Sequence, residues 1–151
     1  MRFMMLMIPK VYQPEGAGHP AAQTGVPSAD QVAEMMAFNE ALQKAGALLA
    51  LDGLHPLAKG ARVSFGSGSG SGKPVVTDGP YAESKEVLGG YWMIQVGSKQ
   101  EAIDWASRCP AQDGDVIELR QVQEMSDFPD DVVAAARDSA PEVTARMAGP
   151  A

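Results

Sequence analysis

A chain of 151 residues with 45% apolar and 21% charged side chains has the size and composition of one packed globular core, which argues against disorder and against a fibrous repeat. Its net charge of −7 is uneven: residues 1–75 carry 6 basic and 5 acidic side chains, and residues 76–151 carry 6 and 14. With no cluster of Lys and Arg to neutralise phosphates, direct nucleic-acid binding is not expected, and no run approaches the ~20 apolar residues of a membrane helix.

Phe3-Met4-Met5-Leu6-Met7-Ile8 is an apolar run of strand length. Pro9 and Lys10 end it without the small-residue cleavage site of a signal peptide, so residues 2–8 are predicted to form a buried strand. Residues 9–27 hold four of the eleven prolines and no periodicity, the mark of a long loop. Ser28 followed by Gln31 forms a capping-box pattern, and Val32, Met35, Met36, Leu42 and Ala45 recur near helical spacing, which predicts an amphipathic helix over 29–45 stopped by Gly46. Leu48-Leu49-Ala50-Leu51 follows as a second strand, ending in the bend Asp52-Gly53-Leu54-His55-Pro56.

Arg62-Val63-Ser64-Phe65 and Pro74-Val75-Val76-Thr77 flank a glycine-serine run at 66–72 and predict a hairpin with a flexible tip. That tip leads into a strand, not a helix N-terminus, which argues against phosphate binding there. Residues 88–96, with Tyr91, Trp92 and Ile94, carry the strongest strand pattern, and Gly89-Gly90 signals a bulge or a close backbone approach. Ser98 and Glu101 cap a second helix with Ala102, Ile103, Ala106 and Cys109 on one face, stopped by Pro110. Residues 116–122 alternate as a last strand. Residues 126–151 read as an acidic, alanine-rich tail with one short helix at 130–138 and a fraying end.

Without the hairpin, the order strand, helix, strand, strand, helix, strand is that of a ferredoxin-like α+β sandwich, in which two helices cover one face of an antiparallel sheet. The other face is left to a partner, so a homodimer is expected. The lone Cys109 forms no internal disulfide, which suits a reducing cytoplasm. Two distant histidines, His19 and His55, offer no metal-ligand spacing, and no cofactor motif is present.

Thr77-Asp78-Gly79-Pro80-Tyr81-Ala82-Glu83-Ser84-Lys85-Glu86 with Gly89-Gly90-Tyr91-Trp92 resembles the motif block of the YCII-related, DGPF-type family. Gly53-Leu54-His55-Pro56, Lys59-Gly60-Ala61-Arg62-Val63, Ala102-Ile103-Asp104-Trp105-Ala106 and Ile117-Glu118-Leu119-Arg120-Gln121-Val122 extend the resemblance over residues 1–125. Tyr81 and Ser84 stand where Phe and Thr are more usual. The resemblance implies a dimeric ferredoxin-like fold with a cleft near the Asp-Gly-Pro turn. Some relatives look like enzymes with an Asp and His pair in that cleft, and others are associated with extracytoplasmic-function sigma factors.

Asp78, before Gly79-Pro80, suits either a turn residue accepting backbone N–H bonds or a cleft carboxylate acting as a base with His55, the catalytic pair singled out here. Tyr81, Glu83, Lys85, Tyr91 and Arg120 are the candidate ligand-binding residues, each with a plainer reading as strand aromatic, solvated charge or partner of a neighbouring glutamate. Cys109 lacks the positive surroundings that activate a thiol. Two functions of different classes fit these residues. One is a small polar molecule bound near the Asp-Gly-Pro turn, with weak acid–base catalysis left open; the other is a noncatalytic regulatory module docking on a protein of the sigma-factor class.

Overall fold

The computed structural model describes residues 1–12, 27–65, 74–79 and 87–147. They form an α+β protein whose chain divides into two compact units, Met1–Arg120 and Gln121–Ala151.

In the first unit, strands β1 (Arg2–Ile8), β2 (Leu48–Gly53), β5 (Gly90–Gln95) and β6 (Val116–Gln121) make one sheet in the order β2-β5-β1-β6. β5 pairs antiparallel with both β1 and β2, setting Met5 opposite Trp92 on one side and Asp52 opposite Tyr91 on the other. Side chains alternate across a strand, so Phe3, Met5, Met7, Trp92 and Ile94 all turn to one face and are buried there. Helices α1 (Ala29–Lys44) and α2 (Lys99–Ser107) cover that face through Phe38, Leu42, Ala102 and Trp105. The Phe38 ring meets Trp92 edge-on at 5.9 Å and Trp105 at 6.4 Å, arrangements that add to the burial of three large rings.

Local chemistry sets the helix ends. Ser28 and Gln31 exchange side-chain to backbone bonds of 2.9 and 3.3 Å, the expected capping box, and Ser98 Oγ accepts the Glu101 N–H at 3.1 Å. Gly46, at φ +70, ends α1 with the Ala47 N–H reaching back to the Leu42 carbonyl.

Three expectations change in detail. Val32 and Met36 lie outside the core, because the first turns of α1 border an open cleft and not the sheet. On α2 the buried pair is Ala102 and Trp105, while Ile103 is exposed. The irregularity foreseen at Gly89-Gly90 sits instead on the facing strand, between Leu48 and Ala50, while Gly90 supplies the close approach: a Cβ there would stand 2.9 Å from the Asp52 carbonyl oxygen.

Strands β3 (Ala61–Ser64) and β4 (Val75–Asp78) form a separate two-stranded sheet with Ala61 opposite Asp78, and all eight residues are exposed. The glycine-serine tip lies outside the described residues. Its base is fixed by the Gly79 N–H, which donates to the Gly60 carbonyl at 2.9 Å.

In the second unit a short 3-10 turn precedes α3 (Asp130–Ser139) and α4 (Pro141–Met147), so the tail holds two helices where the sequence led to one. Pro141 suits the first position of a helix, and the buried Thr144 hydroxyl lies 2.9 Å from the carbonyls of both Ala136 and Ala140, tying α4 to α3. Among the described residues no helix is long and apolar enough to cross a membrane.

Candidate functional site

A cleft of about 790 Å³ opens at the end of the four-stranded sheet. The end of β1 and the 3-10 turn Lys10–Tyr12 form one side, the first turns of α1 the second, and the loop Pro110–Asp115 the third. The floor is the junction of β2 and β5, where Gly53, Gly89 and Gly90 present no side chains. Gly89 is required sterically: a Cβ there would overlap the Pro9 ring and come within 3.3 Å of Tyr12.

The wall is mainly hydrocarbon. Val32, Met36 and Leu54 line it while 44%, 58% and 41% exposed, far more than structural burial alone would leave such side chains. Met35 and Trp92 continue the surface inward, with the Trp92 indole N–H held by Asn39 Oδ1 at 2.8 Å.

Asp52 and Tyr91, also among the lining residues, are placed by the strand register, which turns their side chains to the sheet face opposite Trp92. Asp52 and Tyr91 stand opposite each other on β2 and β5, and the Tyr91 hydroxyl donates to Asp52 Oδ2 at 2.6 Å, a charge-assisted bond. That bond, the carboxylate charge and some desolvation hold the Tyr91 phenol above its usual pKa, so near neutral pH the pair is a phenol donating to a carboxylate. Burial alone pushes Tyr12 the same way.

His55 follows β2 onto the rim, after Leu54, whose N–H donates to the Gly89 carbonyl at 2.8 Å. On the far side Asp115 accepts the Lys10 and Gln112 N–H groups, both at 2.8 Å, locking the Pro110–Asp115 loop to the end of β1. Cys109 lies just before that loop; burial, reinforced by the Asp115 charge, pushes its thiol up to about 11, leaving it unsuited to nucleophilic work near neutral pH.

Of the residues singled out from sequence, His55 and Tyr91 line the cleft. Asp78 ends β4 at the base of the hairpin and does not line it, and among the described residues no hydrogen bond or ion pair joins Asp78 to His55. Arg120, also away from the cleft, pairs with Glu118 at 3.1 Å. Tyr81, Glu83 and Lys85 lie outside the described residues. Asp52 was not foreseen; only its register with Tyr91 reveals it. Among the described residues no group of three or more His, Cys, Asp or Glu side chains could hold a metal ion.

The family model of the YCII-related domain matches residues 1–126. The chain belongs to the YCII-related family. The match takes in every residue of the cleft, so the YCII-related domain is the part of the chain that carries it. No curated protein matches this YCII-related chain with significant similarity.

Proposed function

We propose that this YCII-related domain binds a small molecule in the cleft at the end of its sheet, with an apolar body against α1 and a polar end toward His55 on the rim. The observation that carries the reading is a cleft of about 790 Å³ with a mainly hydrocarbon wall, inside the ~300–1,000 Å³ range of small-molecule sites. Acid–base chemistry would fall to His55, whose imidazole stands on the rim.

The scaffold fits the reading. The strand order, with both helices over one face, supports a ferredoxin-like sandwich, and the half-buried Met4, Leu6, Tyr91 and Met93 on the other face support pairing with a second copy. The test is a thermal-shift screen of metabolite-sized compounds against wild type and Val32→Trp, whose larger ring fills the cleft from an exposed helix position. Hits that stabilise wild type and lose their effect in Val32→Trp are expected. Hits that stabilise both proteins equally, or none across broad classes, would remove the cleft as the binding site and favour a regulatory protein-docking role.

A further inference from the structure

We propose that the ligand class of the cleft is a neutral carbonyl compound with an aromatic or branched hydrocarbon body, its carbonyl oxygen accepting a hydrogen bond from the Tyr12 hydroxyl. This rests on the cleft being a small-molecule site, and it follows from how the chain places Tyr12 and from the charges of the wall around it.

Tyr12 is held by its backbone and ring, not through its hydroxyl. Its N–H donates to the Pro9 carbonyl at 3.1 Å, closing the 3-10 turn that follows β1. The Pro9 ring packs on Gly89, where an added Cβ would overlap it, and Tyr12 Cε2, next to the ring carbon that bears the hydroxyl, would stand 3.3 Å from that same Cβ. The ring therefore lies at the glycine floor of the cleft. Met7 and Trp92 line the same cleft and turn to the sheet face that α1 covers, so Tyr12 shares one continuous space with Val32, Met35 and Met36 of that helix.

Burial alone lifts the Tyr12 phenol above its usual pKa, so near neutral pH it keeps its proton and donates. Among the described residues nothing accepts that O–H, although a tyrosine hydroxyl taken partly out of water ordinarily finds an acceptor. An oxygen lone pair fills the need, and an ammonium offers none. A carboxylate would bring the lone pair with a charge that the wall opposes. Asp113 and Asp115 line the loop side against the single ammonium of Lys10, whose Nζ lies 3.2 Å from where a Gly114 Cβ would stand. A neutral carbonyl supplies the acceptor without the charge, and the thioethers of Met35 and Met36 suit an aromatic ring on its body.

The test is isothermal titration with three phenyl-terminated probes of similar length, benzylacetone, 3-phenylpropionate and 3-phenylpropylamine, against wild type and Tyr12→Phe, with the melting temperature of both proteins measured alongside. Wild type is expected to bind the ketone most tightly. Tyr12→Phe should weaken the ketone about fivefold, the worth of one neutral hydrogen bond, and leave the amine unchanged. Its melting temperature should equal that of wild type, because the hydroxyl has no protein partner to lose.

Tightest binding of the carboxylate or the amine by wild type would overturn the carbonyl class while leaving the cleft as a ligand site. A ketone affinity unchanged in Tyr12→Phe, or one that falls together with that of the amine, would overturn the role given to Tyr12, as would a lowered melting temperature, which would assign the hydroxyl to the fold. No binding by any probe, alongside hits in the thermal-shift screen, overturns the carbonyl class alone; no binding in either experiment overturns both readings.

Discussion

The indole N–H of Trp92 donates to Asn39 Oδ1 at 2.8 Å inside the core, a buried link between the central strand and α1 that is directional, not merely apolar. It fixes the rotation of the helix whose next turn back carries Met35 and Met36 into the cleft wall. Asn39→Ala leaves the indole N–H without its acceptor in a buried setting, and a loss of ~1–3 kcal/mol of unfolding free energy is expected. Urea denaturation checks it. In a Trp92→Phe background the same substitution should cost markedly less, since no donor is left unsatisfied.

The phenol of Tyr91 provides a titration signal for the pairing of β2 with β5. Its folded pKa is raised above 10, first by the bond to Asp52 and then by the carboxylate charge. The stabilisation tied to the bond is therefore complete below about pH 10, the unfolded value, and is lost as pH rises through the folded pKa. Ultraviolet titration of phenolate absorbance should show Tyr12 and Tyr91 ionising late, and Asp52→Asn should move only the Tyr91 component down toward 10. An unchanged curve would mean the bond is not populated in solution.

Much of the scaffold was legible because its signals are local. The Ser28 and Gln31 cap, the glycine stop at Gly46 and the aromatic run through Tyr91 and Trp92 each act within a turn or a strand, and each element formed close to its expected place. The cleft was less legible. Asp52 and Tyr91 are 39 residues apart and meet only through strand register, which a shift between Leu48 and Ala50 resets by one residue on the facing strand. Val32 and Met36 recur at core-like spacing, yet periodicity reports that a face is apolar, not whether protein or a ligand covers it.

The glycine of the Asp-Gly-Pro turn has a steric explanation. A Cβ on Gly79 would run into the Leu57 carbonyl group and come within 3.2 Å of the Gly60 oxygen, both main-chain atoms that cannot swing aside. Gly79→Ala is expected to unseat the hairpin from the Leu57–Lys59 turn, at a cost of ~1–3 kcal/mol. Gly53→Ala is the control, since a Cβ there meets nothing within 4 Å. Thermal denaturation of the two variants side by side separates a special need for glycine at position 79 from a general effect of losing one.

Met4 and Met93 face each other across β1 and β5, and with Leu6 beside Tyr91 they make an apolar strip on the sheet face that neither α1 nor α2 covers. Dimer pairing through this strip predicts that wild type has twice the monomer mass by light scattering. Met93→Glu would set a carboxylate at the centre of the buried face, and monomers are expected at micromolar concentration with the far-ultraviolet circular dichroism unchanged. A wild type that is already monomeric, or a Met93→Glu variant that stays dimeric, would place self-association elsewhere; the exposed apolar side chains of the hairpin, Val63, Phe65 and Val76, would then be the next surface to test.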